Sequence, residues 1–284
     1  MELHKPLQPP PKRPLDNIAC PYCGISLDNS NATKEHVVGR SFVPIGTLNG
    51  SWNLILRACK QCNTAKSELE DDISAISLFL LDPMADKIVH KAKSSTSRRT
   101  RRAVIDSSET FTIKGTLVPG VNFTATVKAP PQIDHSRAFK LAWYHLAGVF
   151  YLITYDKANK IGRRWLGTCM PIEVVSITDY GNAVERWFMT YTEAWHPKIV
   201  GHIASGFYRI AIRRHPESEV WSWAFEWNKT VRLIGFLGEE HILNHIVKAK
   251  PEIQYTLTER HRLRDEVPLE EESDTLFRQH GIEM

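Results

Sequence analysis

Two pairs of cysteines, each separated by two residues, are the feature that most constrains how this chain folds. The pairs are Cys20 with Cys23 and Cys59 with Cys62, and they bracket one short segment of the 284-residue chain. Each C-x-x-C places two thiolates on a tight turn, and two such turns complete a closed tetrahedral shell. The spacing therefore predicts a structural zinc ion that is bound by all four cysteines, with further residues mounted between the two turns.

Four short motifs follow one another in an order that is more specific than the cysteines alone. The chain reads Cys20-x-x-Cys23, Glu35-His36-Val37, Asn53-Leu54 and Cys59-x-x-Cys62-Asn63-x-x-Lys66. Over residues 18–82 this order resembles the zinc-stabilised HNH endonuclease family. That family more often has aspartate before the catalytic histidine and histidine at the last position, where this chain has glutamate and asparagine. The resemblance implies a ββα-metal nuclease domain, which consists of two strands and a helix with a metal between them.

The resemblance also assigns roles to individual residues. His36 is the expected general base, because a neutral imidazole can accept a proton from water near pH 7. Glu35 and Asn63 are the expected oxygen ligands of one Mg²⁺ or Mn²⁺ ion, which typically keeps several waters and binds one or two carboxylates. Asn53 is expected to hold the loop that orients the histidine, and Lys66 is a candidate phosphate contact. The implied reaction is the hydrolysis of DNA phosphodiester bonds.

The hydrophobic pattern around these motifs predicts the same three elements. Residues 34–38 and 52–57 are short apolar runs that predict two strands joined by a broad loop. After Cys62, apolar residues recur at three- and four-residue spacing, which predicts an amphipathic helix that ends before Asp82-Pro83.

The predicted helix also carries polar residues away from its apolar stripe. Asn63, Lys66 and Glu70 share one such face. A cluster of acidic side chains on the helix is interpreted as a solvated surface rather than as a second metal site. Its members are Glu68, Glu70, Asp71 and Asp72.

Positive charge is concentrated in the part of the chain that carries the motifs. The whole chain has a formal net charge of +4, but residues 1–105 contain fifteen Lys and Arg against ten Asp and Glu. A dense basic run that is rich in hydroxyl groups lies at 91–102. Such a run suits contact with the phosphate backbone without base readout, and a solvated linker accounts for it about equally well. The predicted nucleic-acid contacts in this run are Lys91, Lys93, Arg98, Arg99, Arg101 and Arg102.

The predicted fold class is α+β, with four segments along the chain. Residues 1–16 form a flexible Pro-rich arm, and residues 17–103 form the HNH-type nuclease domain with its basic C-terminal segment. Residues 104–250 form an α+β domain for recognition, dimerisation or regulation, so a homodimer is one arrangement that the sequence leaves open. Residues 251–284 form a charged C-terminal tail.

The second domain is predicted to be an antiparallel sheet packed on one long helix. The pattern predicts a hairpin at 111–127, a mostly buried helix at 136–154 and an aromatic strand at 220–228. That strand places four large rings on one face. Such a stripe could stack on unpaired bases, but burial against the helix is the commoner cause. Further strands are predicted at 172–177, 184–191, 207–213 and 231–236.

Composition favours an intracellular protein. The first fifteen residues are Pro-rich and basic and lack the apolar centre of a signal peptide. The longest apolar run, at 141–155, is too short to span a bilayer and is interrupted by His145. Five cysteines, four of them assigned to zinc, fit a reducing cytoplasm, and Cys169 is interpreted as a buried apolar residue. We expect a cytoplasmic protein without membrane contact that associates with the nucleoid when it binds DNA.

Two other functions stay open at this point. The chain could be a non-catalytic nucleic-acid-binding or regulatory protein that keeps the zinc scaffold. It could also cleave RNA or single strands, with the aromatic strand as a stacking platform. The environment of His36 discriminates, because a histidine packed into the core would favour binding without catalysis.

Overall fold

The computed structural model covers most of the chain. It describes residues 15–49, 53–79, 110–118, 121–128, 134–251, 269–270 and 272–278. The predicted arm up to residue 14, the basic run at 91–102 and most of the predicted tail at 251–284 lie outside the described residues.

The cysteine-bearing segment folds as two strands followed by a helix. Strand β1 (Ala32–His36) pairs antiparallel with β2 (Ile55–Cys59), and helix α1 (Lys60–Phe79) follows β2 directly. In this register Ala32 lies opposite Cys59, and His36 lies opposite Ile55. The predicted strand–strand–helix order is therefore confirmed, with boundaries that differ by a few residues. The helix begins earlier than predicted and contains Cys62 in its first turn. We term residues 15–79 the zinc unit.

A hairpin and a long helix come next, as the sequence pattern predicts. Strands β3 (Thr110–Val118) and β4 (Val121–Lys128) pair as a separate two-stranded sheet, and helix α2 spans His135–Ile153. The side chain of Asp134 caps α2 by accepting hydrogen bonds from the backbone amides of Ser136 (2.9 Å) and Arg137 (3.3 Å). These bonds satisfy amides that have no partner within the helix, which fixes where α2 begins.

A five-stranded antiparallel sheet forms the centre of the chain from residue 134 onwards, which we term the second part of the chain. Its strand order is β5-β9-β8-β7-β6. Every neighbouring pair is antiparallel, so most of the sheet is a meander, and β5 is added at the edge beside the last strand. The strands are β5 (Thr168–Ser176), β6 (His196–Ile203), β7 (Tyr208–Arg214), β8 (Trp221–Trp227) and β9 (Val231–Gly238).

The prediction of a strand at 184–191 is wrong, because this segment forms helix α3 (Ala183–Thr192). Its apolar residues Val184 and Phe188 are four positions apart and both are buried, which is helical periodicity. Asn182 caps the helix by accepting a hydrogen bond from a backbone amide at 2.8 Å. Strand β6 and a short helix, α4 (Glu240–Val247), were not predicted.

Helices cover the central sheet on both faces. Helix α2 packs on the face that carries Trp223, Phe225 and Trp227, all of which are buried. Helices α3 and α4 pack on the opposite face in a second apolar cluster. The aromatic stripe is therefore core, and it is not an open platform on which bases could stack.

One hydrophobic core runs from the zinc unit into the second part of the chain. Leu56 of β2 and Ile73 of α1 belong to the same buried cluster as Leu141 of α2 and Phe225 of β8. The predicted boundary between residues 103 and 104 falls outside the described residues. The two parts nevertheless share this core, so the helix and sheet of the second part support the zinc unit.

The turn between β8 and β9 is a second connection between the two parts. Asn228 and Lys229 have positive φ values of 51° and 62°, as the tight turns of hairpins require. The side-chain nitrogen of Asn228 donates to the carbonyl oxygen of Phe42 (3.0 Å) and to the hydroxyl of Ser77 (2.8 Å). This turn thereby ties the loop after β1 and the last turns of α1 to the sheet.

We predict that replacing Asn228 destabilises the protein in two separable steps. Asn228→Gly keeps the turn conformation but removes both hydrogen bonds and leaves a buried carbonyl oxygen unpaired, which costs about 1–3 kcal/mol of unfolding free energy. Asn228→Ala lowers the unfolding free energy by roughly 1–2 kcal/mol more than Asn228→Gly does, because alanine is strained at this positive φ. Urea denaturation of the two variants and the parent measures both steps. An Asn228→Gly protein with an unchanged unfolding midpoint would show that this connection contributes nothing.

Candidate metal centre and active site

Four cysteine sulfurs converge at one point in the zinc unit. The Sγ atoms of Cys20, Cys23, Cys59 and Cys62 all lie within 4.8 Å of one another, and those of Cys23 and Cys59 are 3.6 Å apart. Four sulfurs at about 2.3 Å from a tetrahedral zinc ion stand roughly 3.8 Å from one another. The ligand type and the spacing therefore fit structural zinc, as the two C-x-x-C motifs predict.

The chemistry of the cluster also calls for a cation. Burial raises the pKa of the Cys62 thiol, and its hydrogen bond with Cys59 and the charges of the other sulfurs raise it further. Without a cation, four thiolates would repel one another at this distance. A bound divalent ion reverses that preference, since a coordinating thiol is deprotonated outright.

The metal centre joins three separate pieces of the chain. The first pair lies on a turn closed by a bond from the Gly24 amide to the Cys20 carbonyl (2.9 Å), and Gly24 takes the positive φ of 81° that this turn requires. Cys59 is the last residue of β2, and Cys62 lies in the first turn of α1. A metal bound here therefore clamps the turn, the hairpin and the helix together.

His36 lies at the end of β1 and is only partly buried. Its Nε2 is 3.5 Å from a guanidinium nitrogen of Arg40. Burial lowers the pKa of His36, and the nearby charges of Arg40 and Lys34 lower it further. The imidazole is therefore neutral near pH 7 and can accept a proton, and it does not point into packed core.

Asn53 braces the backbone that follows His36. Its side-chain nitrogen donates to the carbonyl oxygen of Val38 (2.8 Å), and its side-chain oxygen lies 3.5 Å from the Val38 amide. The Val37 amide also donates to the carbonyl oxygen of Leu54 (2.9 Å). The end of β1 is consequently held against the segment that leads into β2.

Glu35 points to the opposite side of β1 from His36, towards α1, because consecutive strand residues alternate between faces. It is 3% exposed, and its Oε1 accepts hydrogen bonds from the Lys66 ammonium group (2.8 Å) and from the Tyr22 hydroxyl (3.2 Å). The structure therefore does not bring the Glu35 carboxylate and the His36 imidazole into one cluster.

Lys66 is enclosed by protein partners. It is 1% exposed, and its ammonium group also donates to Glu70 (2.7 Å) and to the main-chain oxygen of His36 (3.0 Å). Burial lowers the pKa of Lys66, but the carboxylates of Glu70 and Glu35 more than offset this and raise it. The prediction that Lys66 contacts a phosphate is therefore wrong, because its charge is already neutralised inside the fold.

Glu70 connects this buried ion pair to the second part of the chain. Its Oε1 accepts hydrogen bonds from Lys66 and from the Gly39 amide (both 2.7 Å), and it lies 3.2 Å from Nε2 of His145 in α2. Burial lowers the pKa of His145 to about 4, so its ring is neutral at pH 7. A chain of contacts thus runs from Glu35 through Lys66 and Glu70 to α2.

The interpretation of the acidic cluster on α1 as a solvated face is wrong for two of its members. Glu70 is 4% exposed, and Asp72 is 5% exposed and pairs with Arg137 of α2. Glu68 is exposed and Asp71 is partly exposed. The local sequence pattern does not indicate this difference, because the burial results from α2, which is far along the chain.

Asn63, the second predicted ligand of a catalytic ion, faces the same gap between hairpin and helix as Glu35. Its amide nitrogen donates to the Thr33 hydroxyl (2.9 Å) and to the Lys34 carbonyl oxygen (3.4 Å). Thr33 and Glu35 share a face of β1 because they are two residues apart. However, Lys66 is bound to Glu35 in this gap. As placed, the two predicted ligands do not form a site for Mg²⁺ or Mn²⁺, since the ion would meet an ammonium group.

Sequence patterns did not single out two cations that the structure places beside His36. Lys34 precedes His36 by two residues on the same strand face, and Arg40 follows it by four. Strand alternation was the signal that could have identified Lys34. The predicted contacts in the basic run at 91–102 lie outside the described residues and stay predictions.

Comparison of the chain with protein-family models, with curated proteins and with solved structures finds no match. Among the described helices, none combines the length and the apolar character that crossing a bilayer would need.

We predict that Cys59→Ser removes the metal and unfolds the zinc unit. Three remaining thiolates cannot close the tetrahedral shell, and the binding free energy of a structural zinc is part of the folding free energy. Zinc content by atomic absorption and the thermal unfolding of the variant measure both effects. Cys169→Ser is the matched control, because Cys169 lies outside the cluster, and it should keep full zinc content. Full zinc content in Cys59→Ser would contradict the assignment.

We predict that Lys66→Met lowers the unfolding free energy by about 3–5 kcal/mol, because two carboxylates stay buried without their cation. Urea denaturation measures the loss. Lys60→Met serves as the control, since Lys60 is on the same helix but exposed, and it should change stability little. If both variants unfold at the same urea concentration, the buried ion pairs do not stabilise the fold.

Proposed function

We propose that the zinc unit is an HNH-type endonuclease that hydrolyses DNA phosphodiester bonds, with His36 as the general base. The observation that carries this proposal is the environment of His36. Its imidazole is partly exposed, neutral near pH 7 and located at the end of a strand that Asn53 braces. Such a group can take the proton of an attacking water molecule, a role that typically contributes about 10²–10⁴-fold to a rate.

The order of the motifs supports the same proposal. Two C-x-x-C pairs, a strand that ends in Glu35-His36, and a helix that carries Cys62-Asn63 in its first turn are arranged here as strand, strand and helix. The resemblance to zinc-stabilised HNH endonucleases rests on this order. DNA is the proposed substrate because of the resemblance and because positive charge is concentrated in residues 1–105.

The proposed reaction needs one divalent ion, Mg²⁺ or Mn²⁺, and Glu35 and Asn63 would hold it only if Lys66 released the Glu35 carboxylate. When bound, such an ion stabilises the charge of the departing oxygen as a Lewis acid. Lys66 is paired with Glu35 in the structure, so the ion and the ammonium group compete for one carboxylate. The proposed roles of His36 as general base and of Asn53 as its support are the same whether the ion or Lys66 binds the Glu35 carboxylate.

The Glu35–Lys66 pair favours a second candidate function, a non-catalytic nucleic-acid-binding or regulatory protein. Lys66 neutralises the Glu35 carboxylate inside the fold, so this carboxylate does not need a catalytic ion to balance its charge. On this account the zinc scaffold positions cations for binding, and divalent metals never cause cleavage. A nuclease for single strands or RNA has less support, because the aromatic strand that was to stack bases is buried.

We predict that the purified chain nicks or cuts plasmid DNA with Mg²⁺ or Mn²⁺, and that His36→Ala slows this by about 10²–10⁴-fold because the base is lost. Gel analysis of supercoiled plasmid over time measures the rate, and zinc content verifies that the variant is folded. The control is His241→Ala, which alters an exposed histidine on α4 and should leave the rate unchanged.

Two outcomes would overturn the endonuclease proposal. The first is a zinc-loaded protein that leaves plasmid, single-stranded DNA and RNA intact under every divalent metal, which would establish the non-catalytic alternative. The second is His36→Ala cleaving at the parental rate. Cleavage of RNA or single strands in preference to duplex would keep the chemistry and change the substrate.

A further inference from the structure

Two cations share the outer face of the β1–β2 hairpin with His36. Lys34 and His36 are two residues apart on β1, so both side chains point away from the face that Glu35 turns to α1. Arg40 lies beside them, with its guanidinium group 3.5 Å from His36 Nε2. We term Lys34, His36 and Arg40 the outer strip.

The cations of the outer strip are not part of the ionic network that holds the fold. Lys34 and Arg40 are both exposed, and neither forms a salt bridge with the described residues. Arg57, which lies opposite Lys34, is different because it donates to the main-chain oxygens of Asn17 and Asp28. Within the part of the chain that the structure describes, two positive charges therefore remain uncompensated beside the imidazole.

The nearby acidic groups do not cancel this charge. Glu35 and Glu70 lie on the other side of the strand, where both are bound to Lys66. Asp71 accepts a hydrogen bond from Ser41 at 3.1 Å, and no salt bridge between described residues joins it to Arg40. The effect of the two cations reaches the imidazole, because Arg40 and Lys34 are among the causes that lower the pKa of His36, after burial.

We infer that the outer strip binds the phosphate backbone of a nucleic acid, with Lys34 and Arg40 contacting phosphates on either side of His36. Two residues of a strand span roughly 6.6 Å, and the phosphates of one DNA strand advance about 3.4 Å per nucleotide along the helix axis. A strip of this length therefore reaches neighbouring phosphates. The inference rests on the proposed function only in placing the scissile phosphate at His36.

Lys34 and Arg40 take the role of phosphate contact that was predicted for Lys66, which is buried. Lys66 has the charge for a phosphate but is enclosed, whereas Lys34 and Arg40 have the same charge and are open to solvent. Backbone contact of this kind carries no base readout, since the phosphates are the same in every sequence. The strip should consequently bind DNA without sequence preference.

The test is the salt dependence of DNA binding by the full chain. Fluorescence anisotropy with a labelled 30-base-pair duplex measures Kd between 50 and 200 mM salt, in an His36→Ala background that prevents cleavage. Lys34→Gln and Arg40→Gln should each weaken binding and reduce the slope of log Kd against log salt by about 0.9, and the double variant by about twice that. Lys248→Gln removes an exposed charge on the far side of the sheet and should leave the slope unchanged.

The outcomes separate this inference from the endonuclease proposal. If the slope of log Kd against log salt in Lys34→Gln and Arg40→Gln equals that in Lys248→Gln, the outer strip does not bind phosphates, even if the parental chain cleaves plasmid. If Lys34→Gln and Arg40→Gln reduce the slope but the parental chain never cleaves a nucleic acid, the outer strip binds phosphates and the endonuclease proposal is rejected. Both strip variants should keep full zinc content, because neither side chain is bonded to the metal centre, and this verifies that the fold is intact.

Discussion

The convergence of four cysteine sulfurs, which could hold one metal ion, is the constraint on which the arrangement of the zinc unit depends. Residues 15–79 are too few to bury a large core of their own, and small units of this size commonly depend on a metal. The ligands come from a turn, from the end of β2 and from the start of α1. Once these pieces are clamped, β1 is fixed by its pairing with β2, and His36 and Glu35 acquire defined directions.

The two faces of β1 then carry different kinds of charge. The inner face is a closed set of contacts from Glu35 through Lys66 and Glu70 to His145 on α2. Buried charges of this kind are costly to separate, so they hold hairpin and helices in one arrangement. The outer face presents His36 to solvent together with two cations, Lys34 and Arg40, that form no salt bridge with any described residue. The charged side chains on the inner face of β1 therefore stabilise the fold, whereas those on its outer face are available to bind a ligand.

The inner set also explains how the second part of the chain supports the candidate site. Glu70 accepts a hydrogen bond from the Gly39 amide in the loop that follows His36, and it contacts His145 at the same time. The turn at Asn228 holds the next stretch of this loop through Phe42. Removal of α2 or of the sheet would therefore leave the loop after His36 without its support.

What the sequence could predict depended on how local the cause was. The cluster of four cysteines, the hairpin at 110–128 and helix α2 follow from residue spacing within short windows. The burial of Lys66 does not, because its environment is assembled by β1, α1 and α2 together. The strand predicted at 184–191 was wrong for another reason. Trp187, Met189 and Tyr191 alternate as in a strand, whereas Val184 and Phe188 are four residues apart as in a helix. The capping residue Asn182 was the signal that favours the helix. The nuclease chemistry itself stays a proposal.

X-ray absorption spectroscopy at the zinc edge of the purified chain measures the ligands of the proposed metal ion itself. We expect one zinc ion per chain with four sulfur neighbours at about 2.3 Å and no nitrogen or oxygen ligands. A chain purified without zinc, or a zinc ion coordinated by histidine or carboxylate groups, would contradict this expectation.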